Sequence, residues 1–142
     1  MYKRQNITYA FSGGKVTGSY GTATAKPHAD ILYTEQNKTD NEIPTGKDVG
    51  DVKQEGLKTI LIRQVKEQAQ GILNQTDWYV VRKADTDEAI PSSVATHRAA
   101  VRTKQASMET AITNAADTPA LETLYKRNES GVRPLGDFPN LE

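Results

Sequence analysis

The sequence has no cysteine. Disulfide staples, thiolate nucleophiles and cysteine-ligated zinc or iron–sulfur sites are therefore excluded together. A chain without cysteine also suits a reducing cytoplasm. Aromatic residues are scarce, at 6 %, and the apolar set reaches only 36 % of 142 residues. A thin core follows, because folding stability is a small difference between burial and conformational entropy. Surface buried against partner subunits would widen that margin. Net charge is missing too, since eighteen basic and eighteen acidic residues cancel. No long-range field then draws the chain to nucleic acid or to an anionic membrane. Long apolar runs are absent, so neither a membrane-spanning helix nor the core of a secretion signal is expected.

What is present divides by period. In residues 1–35, Ile7, Tyr9 and Phe11 alternate with polar neighbours, Gly13-Gly14 interrupts, and Val16 and Tyr20 resume the pattern. Alternation about a Gly-Gly pair predicts a β-hairpin, with Ile7, Tyr9 and Phe11 on one face. "ADILYTE" offers a third short strand. A lone hairpin is marginal in water, so this β-rich arm is expected to lie against something else, such as another subunit. Residues 36–55, rich in Asn, Asp and Lys with two Gly and one Pro, read as a linker.

From Gly56 the period becomes helical. Leu57, Ile60, Leu61, Val65, Ala69, Ile72 and Leu73 recur at steps of three and four, which predicts an amphipathic helix ending near Asn74. "DWYVVRK" follows, and its aromatic and β-branched residues predict a short strand. Pro91 holds Ile90 extended, and Ser92 or Ser93 is the expected cap of a second long helix. Val94, Val101, Met108, Ile112 and Ala115 mark its buried stripe. Asp117-Thr118-Pro119 predicts a third, short helix, with a cap and then a proline where no N–H is needed. The glycines and prolines of 129–142 predict an irregular arm. The expected fold is α+β: a hairpin and short strands, then a helical core over 56–128 whose two long helices meet at a strand-like corner, then an extended C-terminal arm. Trp78, the one tryptophan, sits at that corner beside Asp77. Burial of its indole between the long helices is expected, and Trp78→Ala would then cost roughly 3–5 kcal/mol.

Catalytic chemistry is hard to assemble. His28 and His97 lie in different zones without a partner at metal-ligand spacing, and His97 falls near an apolar stripe, where a satisfied interfacial histidine is expected. "DTDE" at 85–88 lacks the glycine and trailing glutamate of a calcium loop. "PTGKDVG" lacks the leading glycine and the Ser/Thr of a phosphate loop. No serine sits in a nucleophile elbow. The expectation is a protein with no catalytic residue, no cofactor and no metal.

Several spaced elements, however, form a pattern: a helix running into Thr76-Asp77-Trp78, then Ile90-Pro91, then Arg98 and Arg102 as R-x-x-x-R, then "AADTPALETLY". Over residues 57–125 this resembles the tail and tail-fibre assembly proteins of bacteriophages. The resemblance implies either a virion component of the tail, baseplate or fibre-attachment region, or a transient assembly chaperone absent from the particle. The partners implied are other tail, baseplate or fibre proteins and further copies of the chain, assembled in the host cytoplasm, with no nucleic acid or membrane. The residues expected to bind them are Tyr9, Phe11 and Tyr20 on the hairpin, Arg98 and Arg102 on the second helix, and Leu135 and Phe138 in the C-terminal arm. Trp78, Asp77 and Pro91 would shape the corner.

Overall fold

The structure, a computed structural model, describes the backbone of residues 2–4 and the whole of residues 7–141. It is α+β, with short antiparallel strands preceding the long helices. The chain forms two compact units, residues 1–57 and 58–142.

The first unit opens with β1 (Tyr2–Arg4), β2 (Ile7–Ser12), β3 (Lys15–Tyr20) and β4 (Ala23–Ala25). β2 and β3 pair antiparallel, from Ile7 opposite Tyr20 to Ser12 opposite Lys15. Gly13 and Gly14 make the turn with φ of 58° and 75°, the two positive values that match the twist of a ribbon. β1 pairs with β4. β5 (Ile31–Leu32), α1 (Glu35–Thr39) and β6 (Val52–Gln54) follow, β5 pairing with β6 across a register irregularity.

The stretch expected as a linker is therefore structured. Thr34 Oγ1 accepts from Asn37 N–H at 3.3 Å while Asn37 Oδ1 accepts from Thr34 N–H at 3.0 Å, a reciprocal cap on α1. Lys53 Nζ and Asn37 Nδ2 both donate to Glu42 Oε2, at 3.0 and 2.6 Å. The lysine bond first, and the amide second, hold the Glu42 carboxyl below the usual range. Gly56 is a glycine because of close backbone approach: a Cβ there would lie 2.2 Å from the Ala29 carbonyl carbon.

The helices are α2 (Leu57–Asn74), α3 (Asp77–Thr86), α4 (Ser92–Asn114) and α5 (Thr118–Tyr125). Leu61, Val65 and Ala69 of α2 are buried, as are Val94, Val101, Met108 and Ile112 of α4, so both expected stripes face inward. Each fully buried aliphatic side chain contributes roughly 1.5–3 kcal/mol. α2 and α4 run antiparallel. Three ties show it: Lys58 Nζ to the Thr113 carbonyl at 2.8 Å, Lys66 to Glu109 at 3.6 Å, and Arg98 to the Leu73 carbonyl at 2.8 Å. Asp117 caps α5, accepting from Ala120 N–H at 2.8 Å, and Leu121 completes the core.

Two local expectations are corrected. Residues 77–86 are helical, not a strand. All described strands lie within residues 2–54, and a helix at 77–86 satisfies its own backbone groups without a neighbouring strand. Asp77 in the first turn and Lys83 in the last also complement the helix dipole. Neither Ser92 nor Ser93 caps α4. Pro91 stands at the cap, with no side-chain hydrogen bond to the helix N–H groups.

Candidate functional site

The corner between α2 and α3 is built around Arg98, not around the indole. Arg98 Nη1 donates to the Leu73 carbonyl at 2.8 Å and to Thr76 Oγ1 at 2.7 Å, and Nη2 meets Asp77 Oδ1 at 2.7 Å. Thr76 Oγ1 in turn donates to the Leu73 carbonyl at 3.0 Å. With its amide turned so that both ends are satisfied, Asn74 donates to Asp77 Oδ2 at 3.2 Å. One guanidinium thus closes the C-terminal end of α2, where carbonyls lack helical partners, and fixes the first acid of α3. The Thr76-Asp77 pair and Arg98 have one physical role in common. Arg98 is buried, so its expected place among partner-binding residues is corrected. Arg102, one turn further on, is exposed.

Trp78 is 52 % exposed, which corrects the expectation of a buried pin. Its ring stacks on Tyr79 with centroids 3.7 Å apart, and the Arg82 guanidinium lies 4.9 Å from it and 5.3 Å from Tyr79. Arg82 also pairs with Glu88 at 3.3 Å. α3 buries no residue, because its rings and cation pack on one another at the surface. Trp78→Ala is therefore expected to change stability by no more than about 1 kcal/mol, since large losses come from cavities in a core. Thermal melting checks this, and a loss of several kcal/mol would restore the buried-pin reading.

The hairpin presents a second surface. Directly paired residues share a face, so Ile7, Tyr9 and Phe11 join Tyr20, Gly18 and Val16 on one side, with Thr8, Ala10, Ser12, Ser19, Thr17 and Lys15 on the other. Every described residue of β2 and β3 is exposed, with Tyr9 at 67 % and Phe11 at 77 %. Gly18 leaves room for the Tyr9 ring, whose Cε1 lies 3.4 Å from where a Cβ would stand. Sequence alternation located this face correctly.

The C-terminal arm has no helix or strand among its described residues, but it is tied back. Leu135 N–H donates to the Leu124 carbonyl at 2.9 Å, and its side chain is 4 % exposed. Its expected role as an anchor in a neighbour is corrected: it fills the chain's own core. Phe138 is half-buried. Arg133 pairs with Asp137 at 2.8 Å and lies over the Tyr125 ring at 5.6 Å. Desolvation works to raise the Asp137 carboxyl, but the hydrogen bond from Arg127 and the charge of Arg133 outweigh it and hold the group below the usual range. Burial pushes the Tyr125 phenol up.

Among the described residues no group of three or more His, Asp or Glu is placed to hold a metal ion. No helix there is long and apolar enough to cross a membrane. The chain matches no family model, and no curated protein or solved structure matches it.

Proposed function

We propose that this chain is a structural component of a bacteriophage virion, in the tail, baseplate or fibre-attachment region, and that it acts by binding other subunits during assembly. The observation that carries the reading is the hairpin: a ribbon whose one face, of Ile7, Tyr9, Phe11, Val16 and Tyr20, is mostly apolar and exposed. Large exposed apolar patches mark interaction surfaces, and two strands are too few to be independently stable in water. A subunit of a symmetric particle meets both conditions by lying on its neighbours through a sheet face or edge. The Thr76-Asp77-Trp78, Ile90-Pro91 and Arg98-to-Arg102 pattern supports the phage assignment. Binding of this kind needs no catalytic residue, cofactor, nucleic acid or membrane.

The partners on this reading are tail, baseplate or fibre proteins and further copies of the chain. Mass spectrometry of purified particles tests it: peptides of this chain are expected in the mature virion at a fixed ratio to other tail proteins. Their absence from particles, with presence in the infected-cell lysate, would replace the reading with that of a transient assembly chaperone.

A further inference from the structure

The hairpin and the rest of its own unit carry opposite charge. Residues 1–29 contain Lys3, Arg4, Lys15 and Lys26 and no acid, a formal charge of +4. Residues 30–57 contain seven acids against three lysines, a formal charge of −4. Residues 58–142 balance, with eleven of each sign. The zero net charge of the chain thus hides a segregation confined to the first unit. One register runs through both ladders of the basic segment, with Arg4 opposite Ala23 and Ile7 opposite Tyr20. The cations therefore sit on the same ribbon as the exposed rings.

The acidic segment has an apolar spot of its own. Leu32 of β5 lies opposite Val52 of β6, and both are exposed. Carboxylates flank this small sheet: Glu35 follows β5 and Asp51 directly precedes β6. Two of the three lysines are engaged within the segment, Lys53 with Glu42 at 3.0 Å and Lys38 with Asp48 at 3.9 Å. The surplus charge is negative. The ribbon of the same chain does not cover the spot with its apolar face, since every described residue of β2 and β3 is exposed.

We propose that the basic ribbon of one copy seats on the acidic β5–β6 face of the next, so that the chain associates with itself head to tail. This rests on the hairpin as the binding surface of the function proposed above and names what it meets. Charge selects the occupant. Two ribbons laid face to face would set +4 against +4, a repulsive pairing. A nucleic acid would be drawn to the ribbon but repelled by the −4 of the same unit. A second copy offers an equal and opposite charge around an apolar centre, so rings meet Leu32 and Val52 while cations meet carboxylates. Such a contact uses two different patches, and repetition of it builds a ring or a filament.

Analytical ultracentrifugation of the full chain tests this without any other phage protein. At low salt the mass is expected to rise with concentration beyond that of one chain. It should return to the monomer near 1 M salt, where the screening length falls to about 3 Å. Arg4→Glu with Lys15→Glu neutralises the ribbon, and Glu35→Lys with Asp51→Lys neutralises the acidic segment. Each double variant is expected to associate about tenfold more weakly than the native chain. Mixed one to one, they should form dimers and stop there, because one variant keeps a native ribbon and the other a native acidic segment. Circular dichroism checks that both variants are folded, and the salt series needs no variant. A native chain that stays monomeric at low salt overturns the inference, whether or not it binds a short oligonucleotide. So does an acidic-segment variant that associates like the native chain, which would mean that ribbon pairs with ribbon. Either result leaves the virion reading to the particle mass spectrometry, which decides it separately.

Discussion

Arg98→Ala is expected to lower the stability of the helical unit by about 3 kcal/mol, or roughly 15 °C in melting temperature for a domain of this size. The argument weighs two opposed effects. Taking a guanidinium out of water is costly, so a buried ion pair can be worth less than an apolar side chain of the same shape. Here, however, one ion makes three short contacts, at 2.7–2.8 Å, to a carbonyl, a hydroxyl and a carboxylate. Alanine loses them all and leaves a void where the aliphatic stem packs. Arg98→Met keeps the stem and removes the desolvation cost, so it should lose only about 1 kcal/mol. Arg98→Lys should fall between them, because an ammonium lacks the planar fork that spans Thr76 and Asp77. Asp77 is half-exposed, so Asp77→Asn should cost about 1 kcal/mol or less. Chemical denaturation of the four variants checks the order. Equal stability of Arg98→Ala and the native chain would remove Arg98 from the corner.

That corner shows what is and is not legible in a sequence. The two long helices are legible because burial on one face at a 3.6-residue period leaves a pattern, and Leu61, Val65, Ala69, Val101 and Met108 carry it. The hairpin is legible because Gly13 and Gly14 fit a turn that other residues resist. Asp117 and Pro119 announce α5 by purely local chemistry. α3 is not legible from its own letters: Trp78, Tyr79, Val80 and Val81 favour a strand when no partner is considered. What fixes the start of α3 is Arg98, far along the chain, which ties Thr76 and Asp77. Leu135 is hidden for a similar reason. Its burial depends on a bond to the Leu124 carbonyl and on glycines at 131 and 136 that take positive φ, and no periodic pattern encodes that return. Local signals therefore locate the exposed face of the hairpin, whereas the places of Arg98, Trp78 and Leu135 depend on residues far along the chain.

If the chain is the virion component proposed above, replacing Tyr9, Phe11 and Tyr20 together with threonine is expected to abolish incorporation into particles while leaving the helical unit intact. Threonine keeps strand propensity, so the hairpin backbone and its Gly13-Gly14 turn should survive. No described side chain of β2 or β3 is buried, so the exchange opens no cavity. The three rings, with Ile7 and Val16, form one patch of roughly 500 Å² of exposed surface. At about 25 cal/mol per Å² its complete burial would yield on the order of 10 kcal/mol, comparable to the 4–15 kcal/mol that association itself costs. A contact so balanced cannot spare its aromatic anchors. Removing three such residues should reduce affinity by at least about a hundredfold, enough to lose a subunit from an assembling particle. Circular dichroism and melting of the variant should match those of the native chain, and mass spectrometry should find it in lysate but not in particles. If particles carry the triple variant at native copy number, the apolar face of the hairpin is not what holds the subunit in place.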